Sequence, residues 1–259
     1  MYCKATLSVF PGLSCYTEDM NILSLNCWGG RLKEALTAFI SSRQDIDVFC
    51  LQEVFSADDP RSAQGYRPDY DFKLYNDIAA LLPGHTGYFG ENETDSLWEL
   101  AIFVRKGIAI ESSGSLPICR LPDDHPRHLQ YVTIRTDTTL LTVAHLHGAW
   151  IRGSKLDTPE RLRQSETILG FLKNLQGDIA LLGDFNLMPH TESIHLLEVR
   201  FRNLISEYNI RTTRNKYCTK TADLFADYAF VSEGIDVDNF SVLSDEVSDH
   251  APLLLSINL

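Results

Sequence analysis

Apolar and polar positions in the first third of the chain follow patterns that predict strands and helices in turn. Asn21–Asn26 has the two-residue alternation of a strand, and Arg31–Arg43 repeats apolar residues at the spacing of a helix that lies on a sheet. Asp47–Gln52 is a short apolar run that predicts a buried strand. Lys73–Leu82 has helical spacing and ends before a Pro-Gly pair, which favours a second helix.

The middle of the chain is rich in strand-forming residues. Its apolar runs are separated by turn residues, and several of the gaps are too short to hold a helix. This spacing predicts antiparallel hairpins. The runs are Gly87–Gly90, Ala101–Arg105, Ile108–Glu111, Tyr131–Arg135 and Leu140–His145.

The last third returns to a mixed pattern. Glu160–Leu175 predicts a long helix with Leu162, Leu169 and Leu172 on its buried side, and Thr191–Glu198 predicts a shorter one after a proline. The predicted strands are Ile179–Gly183, Ala226–Val231, Phe240–Leu243 and Pro252–Ile257. The mixture of βα units and hairpins indicates an α/β (α+β) chain with two sheets packed face to face and helices outside each.

Polar side chains suited to phosphoester chemistry stand where several predicted strands end. Asn26, Glu53, Asp184 and Asn186 each follow an apolar run, and Asp249 precedes the last strand. A carboxylate such as Glu53 at a buried strand end needs a charged partner or a metal ion. Oxygen ligands favour hard cations, so we expect Mg²⁺ or Mn²⁺, although a salt-bridged strand end would explain Glu53 in isolation.

Asp184 and Asn186 alternate around one residue and so share a face of their strand. Asp184 could take a proton from water, and Asn186 could donate its amide to a developing oxyanion. An Asx turn is the alternative reading, but it gives no reason for a whole buried strand to lead into the turn.

Two histidine patterns are also candidates for phosphate contact. His250 follows Asp249, and Asp227 at the start of a strand is a natural partner to hold its ring. His145 and His147 share a face at another strand end, without a third ligand spaced for zinc. We expect His145 to contact phosphate, whereas His147 could equally be a polar residue at the rim.

Length and composition are those of an ordinary globular chain, with 259 residues, of which 44% are hydrophobic and 22% are charged. Because the strand-end residues span Asn26 to His250, we expect a single domain over residues 20–259. Residues 1–19 fit none of the patterns downstream and lack the features of a signal peptide. We interpret them as an N-terminal extension that is disordered or that reflects a start codon assigned too early.

The net charge of −12 disfavours tight, sequence-blind binding to duplex nucleic acid. Two local stretches are basic: residues 211–216, and a cluster formed by Arg152, Lys155, Arg161 and Arg163. The six cysteines are scattered without metal-like spacing, and no apolar run approaches the length of a membrane span. We expect a reduced, cytoplasmic protein that is monomeric.

The motifs in this order resemble the endonuclease/exonuclease/phosphatase superfamily, which has the DNase I-like fold. Its recurring words are a strand ending in Asn, Leu-Gln-Glu, a strand reaching a His, Gly-Asp-x-Asn, Asp-Tyr-x-Phe-x-Ser and a terminal Ser-Asp-His. They occur here at Asn26, residues 51–53, His145, residues 183–186, residues 227–232 and residues 248–250. The resemblance implies a four-layer αββα sandwich with the site at one end of both sheets.

The resemblance also implies roles. Glu53 would hold the metal with help from Asn26 and Asp249, and Asp184 would position or deprotonate the nucleophile. Asn186 and His145 would bind the phosphate, and Asp227 and His250 would act as a pair. Trp28 stands where abasic-site endonucleases of the superfamily carry an aspartate, so that subfamily is not indicated.

We therefore expect a Mg²⁺-dependent phosphoesterase in which water attacks phosphorus in line. The substrate is a phosphodiester or phosphomonoester, with nucleic acid, lipid and small molecules all open. A non-catalytic binding module would be expected to lack some of the six motifs, and none is missing.

Overall fold

The structure is a computed structural model that describes residues 19–56, 69–89, 99–121, 126–219 and 224–259. Twelve strands lie in this part of the chain. They are β1 (Asp19–Asn26), β2 (Val48–Gln52), β3 (His85–Phe89), β4 (Leu100–Arg105), β5 (Ile110–Arg120), β6 (Pro126–Arg135), β7 (Leu140–His147), β8 (Asp178–Asp184), β9 (Arg202–Asn203), β10 (Asp227–Val231), β11 (Asp236–Val242) and β12 (Leu253–Asn258).

Five α-helices and one 3₁₀-helix connect these strands in the described ranges. The 3₁₀-helix (Trp28–Gly30) follows β1 directly. The α-helices are α1 (Lys33–Ser42), α2 (Leu74–Leu81), α3 (Pro159–Leu172), α4 (Glu192–Glu198) and α5 (Leu204–Glu207).

The strands form two six-stranded mixed sheets. The first has the order β11-β12-β1-β2-β4-β3 and the second β5-β6-β7-β8-β10-β9. Near the middle of each sheet two strands run parallel, β1 beside β2 and β7 beside β8, while the other described pairs are antiparallel. Parallel neighbours end at the same edge of a sheet, which gathers the polar residues that follow them.

The two faces of the first sheet pack against different layers, because side chains alternate along each strand. Ile22 and Cys50 face the second sheet, in a core that also contains Val143 and Leu182. Their strand neighbours face the other way and pack with residues of α1 and α2; this outer core includes Leu23, Phe49, Leu36, Ile40 and Ile78. The predicted arrangement of two mixed sheets with helices outside is confirmed.

Several predicted boundaries differ from the observed ones. β1 begins at Asp19, two residues before the prediction, because Asp19 and Met20 pair with the last residues of β12. Residues 1–18, the rest of the predicted extension, lie outside the described residues. The strands β5 and β6 are longer than predicted. We did not predict β9 or α5, which are only two and four residues long.

The buried face of α3 differs from the predicted one. We expected Leu162, Leu169 and Leu172 to form it; Leu172 is buried and Leu169 packs against the core while partly buried, whereas Leu162 is only half-buried. The buried face also carries Arg161, Gln164 and Ser165. Arg161 donates to the carbonyl oxygens of three residues, Ala149, Ser154 and Leu156, so the helix holds the loop after β7 by polar contacts.

Four cysteines lie in the described ranges, and all of them are free thiols. Burial raises the pKa of the Cys119 thiol to about 11, so this side chain behaves as a small hydrophobe. None of the helices in the part of the chain that the structure describes has the length and apolar character needed to cross a bilayer.

The substitution Met20→Ala tests where the first strand begins. Met20 is 3% exposed and pairs with Ile257, so its truncation should lower the free energy of unfolding by about 2 kcal/mol. Asp19→Ala, at an exposed position of the same strand, should change it by less than about 0.5 kcal/mol. Urea unfolding of both variants gives the two values; two equally small losses would place the first packed residue at Asn21.

Candidate active site

The site is assembled at one end of both sheets by residues at strand ends. Asn26 ends β1, Glu53 follows β2, His147 ends β7 and Asp184 ends β8. His147 and Asp184 are register partners in the second sheet, and Asp184 is also the partner of Asp227 in β10. Because paired residues point to the same side of a sheet, these three side chains lie in one row.

Asn26 joins the two sheets across the site. Its amide nitrogen donates to Glu53 Oε1 at 3.1 Å and to Asp184 Oδ2 at 3.1 Å. Its side-chain oxygen, Oδ1, accepts the backbone N–H of Trp28 at 2.9 Å. Asn26 is fully buried, so all three contacts fix its orientation and that of the two carboxylates.

Asp184 lies at the centre of the cluster. Its Oδ1 accepts the backbone N–H of Asn186 at 2.8 Å. Its Oδ2 lies 3.7 Å from His250 Nε2 and 3.7 Å from His147 Nε2, so two imidazoles approach the same oxygen. The amide of Asn186 is buried and donates to the carbonyl of Gly148 at 3.4 Å.

Each of these two histidines is held by a buried carboxylate. His250 Nδ1 lies 2.8 Å from Asp227 Oδ2, and His147 Nδ1 lies 2.7 Å from Glu99 Oε2. Glu99 also accepts from Arg127 Nη1 at 2.8 Å. The pair of Asp227 and His250 was expected, whereas the pair of Glu99 and His147 was not.

Sequence reasoning gave no role to Glu99 and left His147 open. The only signal was that His147 shares a strand face with His145. Glu99 immediately precedes β4, and its carbonyl oxygen accepts the backbone N–H of Val54, which brings it beside the Glu53 turn. Such proximity depends on the pairing of β2 with β4 and cannot be read from local sequence.

His145 lies deeper than its predicted role requires. The ring is fully buried, Gln52 Nε2 donates to its Nδ1 at 2.9 Å, and its Nε2 lies 2.9 Å from Gln130 Oε1. With one nitrogen accepting and the other donating, the neutral ring is satisfied on both sides. Burial lowers the pKa of His145 to about 3. The structure does not support the phosphate contact that we predicted for His145; His147, two residues on, faces the site instead.

Opposing charges set the protonation of the central groups. Burial alone would raise the pKa of Asp184, but the electrostatic effect of His250, with smaller effects of His147, Lys155 and Arg214, outweighs it and holds that pKa well below its ordinary value. Burial alone would lower the pKa of His250, but the carboxylates of Asp227 and Asp184 raise it above the ordinary value of 6.5. The site therefore favours an ionised aspartate beside a charged histidine.

Arg214 completes the His250 side of the site. Its Nη2 donates to Asp249 Oδ2 at 2.6 Å, and its Nη1 contacts His250 Nε2. Arg214 belongs to the basic stretch seen in the sequence, and it pairs with His250 by an isolated β-bridge. Burial opposes its charge, but Asp249 and Asp227 outweigh that effect and raise the pKa of Arg214 further. Its guanidinium is thus a permanent positive charge inside the site.

The residues present fit a hard divalent cation. Glu53 Oε2 and Asp249 Oδ1 are buried and have no hydrogen-bond partner within the described ranges. A buried carboxylate oxygen without a donor is costly, and a cation would satisfy it. Asp184, Asp227 and His250 also offer ligand atoms within 4.8 Å of one another, although the Nδ1 of His250 is already bonded to Asp227.

Three site residues have backbones in the left-handed region that favours glycine. The φ angles are +51° at Trp28, +53° at Glu53 and +54° at Asn186. Such angles cost energy for residues with side chains, and they turn the chain sharply where a strand ends. Gly183 has φ +125°, and a Cβ there would lie 2.4 Å from the carbonyl oxygen of Leu146, so only glycine fits between β7 and β8.

Comparison with known proteins agrees with this geometry. The sequence matches the family model described as the Endonuclease/Exonuclease/phosphatase family over residues 23–250, which confirms the resemblance of the motifs. No curated protein matches the chain.

Solved structures share the fold. The endonuclease/exonuclease/phosphatase from Bacteroides vulgatus is 15% identical with a TM-score of 0.72, over 93% of this chain and 99% of that chain. A mannosyl-6-phosphatase from Bacteroides thetaiotaomicron is 19% identical with a TM-score of 0.69, over 93% and 100%. The human Nocturnin catalytic domain, with bound sulfate, is 15% identical with a TM-score of 0.67, over 93% of each chain.

The pKa values of the two buried histidines, His250 and His145, should be shifted in opposite directions from the ordinary value. In metal-free protein, the pKa of His250 should lie above 6.5, whereas His145, with a pKa of about 3, should stay neutral between about pH 5 and 8. Because a raised pKa favours the protonated folded state, the stability contributed by His250 is fully present below pH 6.5. It is lost as the pH rises through the folded-state pKa.

Histidine-ring NMR on wild type and Asp227→Asn, with EDTA present, measures both values. The amide removes the carboxylate that raises the pKa of His250, so this pKa should fall in the variant while His145 is unchanged. A His250 ring that titrates below 6.5 in the wild type would contradict the charge balance described above.

Proposed function

Since the chain belongs to the endonuclease/exonuclease/phosphatase family, we propose that it hydrolyses a phosphoester bond with a divalent cation, Mg²⁺ or Mn²⁺. The observation that supports this best is the ionised Asp184 between two histidines, each held by a buried carboxylate. An anionic oxygen flanked by protonatable rings and a fixed guanidinium suits a reaction in which negative charge builds on phosphate.

Glu53, Asn26 and Asp249 are the residues that would hold the cation. The oxygens of Glu53 and Asp249 that accept no hydrogen bond from the described residues supply negative charge, and Asn26 keeps the Glu53 carboxylate in place through its 3.1 Å hydrogen bond. A bound divalent cation would polarise the phosphoryl group and stabilise the added charge of the transition state.

Asp184 is assigned to the attacking water. A carboxylate whose pKa lies well below its ordinary value is a weak base, so Asp184 orients the water by accepting its hydrogen bond more than it removes the proton. Asn26 and the backbone N–H of Asn186 hold the carboxylate in one position, which lowers the entropic cost of aligning the water for in-line attack.

His250 and Arg214 are assigned to the phosphoryl oxygens. Asp227 and Asp184 raise the pKa of His250 and so favour its charged form against the opposing effect of Arg214, which is itself a second cation beside the ring. Asn186 presents a neutral donor from the adjoining turn. Fixed donors of this kind stabilise the transition state more than the ground state if they are aimed at the charge that develops.

His147 is assigned to the opposite side of the attacking water from His250. Its Nδ1 is held by Glu99, so its Nε2 is directed toward Asp184 and Glu53, at 3.7 Å and 3.8 Å. From there its Nε2 could take up the proton that the attacking water loses as the water oxygen bonds to phosphorus and the ester oxygen leaves. In this proposal His147, and not His145, is the histidine of β7 that faces the reacting groups.

The substitution Glu53→Gln tests the metal site. The amide keeps the shape of the side chain but removes its charge, so affinity for Mg²⁺ measured by calorimetry should fall by at least about tenfold. Hydrolysis of bis-p-nitrophenyl phosphate should fall with it, and in the wild type it should vanish in EDTA and return with Mg²⁺ or Mn²⁺. Glu111→Gln, at a surface ion pair with Arg135, is the matched control.

Two outcomes would contradict this assignment. Full wild-type activity in EDTA would show that the reaction does not require a metal ion. Unfolding of Glu53→Gln without a change in metal affinity would show that Glu53 serves only to pair with charges in the folded chain.

The two histidine–carboxylate pairs can be tested by double-mutant cycles. His250→Ala should lower kcat by roughly 100-fold or more, with little change in KM, since its charge acts mainly in the transition state. Asp227→Asn should cost less, and the double variant should be little worse than His250→Ala alone, because residues that act as one unit are not additive. The same pattern is expected for His147→Ala and Glu99→Gln.

His195→Ala is the control for these cycles, because His195 pairs with Glu198 at 2.8 Å on the surface, with 74% of its side chain exposed. It should leave kcat unchanged. Strictly additive losses for Asp227→Asn and His250→Ala would show that the two side chains act independently.

A further inference from the structure

Two aromatic rings from segments that carry site residues lie close to each other. The rings of Trp28 and Tyr217 have centroids 6.4 Å apart and are tilted by 43°. Trp28 follows Asn26 by two residues, and Tyr217 follows Arg214 by three. Both side chains are partly exposed, so they are open to a molecule that enters the site.

Both rings are anchored to residues of the site. The backbone N–H of Trp28 donates to Asn26 Oδ1, and Trp28 adopts a left-handed φ of +51°. The backbone N–H of Tyr217 donates to Asn215 Oδ1 at 3.0 Å, while the amide of Asn215 donates to the carbonyl of Ser248 at 2.7 Å. The strained turn at Trp28 and this chain of hydrogen bonds fix the backbone of both rings relative to the groups assigned to the phosphate.

Cations already occupy faces of these rings. The guanidinium of Arg31 lies 4.8 Å from the Trp28 ring centroid, and Lys216 Nζ lies 5.3 Å from that of Tyr217. Both cations also have acidic partners, Asp69 and Glu246. A quaternary ammonium group, as in a choline lipid, would have to compete with them for the rings. A flat neutral ring, unlike the ammonium group, is not repelled by these cations when it stacks on an aromatic face.

We propose that Trp28 and Tyr217 form an aromatic wall that binds the base of a small nucleotide whose phosphate lies at the site. The proposal rests on the proposed function, since the scissile phosphate fixes where the attached group falls. The net charge of −12 opposes long polyanions, so a mononucleotide or short oligonucleotide ester suits this chain better than a duplex.

Competitive inhibition of bis-p-nitrophenyl phosphate hydrolysis tests the wall in the Mg²⁺-loaded protein. Adenosine 5′-monophosphate and ribose 5-phosphate share the sugar phosphate and differ in the base, and phosphocholine carries the ammonium group instead. For wild type we expect the inhibition constant of the nucleotide to be roughly tenfold lower than that of ribose 5-phosphate, the gain typical of one stacked base.

The variants assign that gain to the rings. Trp28→Leu and Tyr217→Leu should each bring the inhibition constants of the nucleotide and of ribose 5-phosphate closer together. Trp28→Phe, which keeps a flat ring, should retain most of the difference. Tyr208→Leu is the control: Tyr208 is 37% exposed and packs on Phe240 at 5.5 Å, outside the site. Thermal melting of each variant verifies its fold, and Tyr217→Leu tests the wall even if Trp28→Leu is unstable.

The proposal and the proposed function fail differently. Hydrolysis with equal inhibition by nucleotide and ribose 5-phosphate would contradict base binding by the aromatic wall but not the phosphoesterase activity. Tighter inhibition by phosphocholine would also contradict it and would indicate a choline ester as the substrate. If no phosphoester is hydrolysed, quenching of tryptophan emission by the nucleotide still tests whether the aromatic wall binds a base. Quenching in wild type that is lost in Trp28→Phe supports the wall, and its absence in wild type overturns it.

Discussion

The hydrogen bond from Asn26 to Asp184 is the contact on which the site depends. It links two residues 158 positions apart, one on each sheet, and it is fully buried. The same amide holds Glu53, so one side chain aligns the carboxylate assigned to the cation with the one assigned to water. If the two sheets slid or rotated against each other, this double contact would break. The close packing of the sheet interface is therefore also what keeps the site in its reactive geometry.

Around this contact the site balances several buried charges. Carboxylates from five segments face two histidines and Arg214, and each charged group has a partner of opposite sign or an oxygen suited to a cation. Burying an unpaired charge would be very costly, so the network stabilises the fold only as a complete set. The opposite pKa shifts of Asp184 and His250 are the measurable sign of this balance. The same pairing favours the ionised forms on which the proposed hydrolysis relies.

Much of the architecture could be predicted from residue patterns. Period-two and helical spacing located nearly all the longer strands and helices in the described ranges, although β5 and β6 extend well beyond their predicted ranges and two very short elements were not predicted. The buried face of α3 was predicted only in part, because polar side chains there, such as Arg161, are buried by binding backbone carbonyls. A hydrophobic stripe cannot reveal that kind of burial, since it depends on the loop that the helix covers.

The sequence by itself determined which chemical groups stand at the strand ends, because strand alternation and the motifs specify residue types locally. It therefore pointed to Asn26, Glu53, Asp184 and the family. Tertiary structure alone decided how those groups are joined. His145 and His147 share a face, yet sheet packing buries one ring between glutamines and turns the other toward Asp184. The roles of Glu99 and Arg214 likewise arise from contacts between distant segments, which only the folded chain brings within hydrogen-bonding distance.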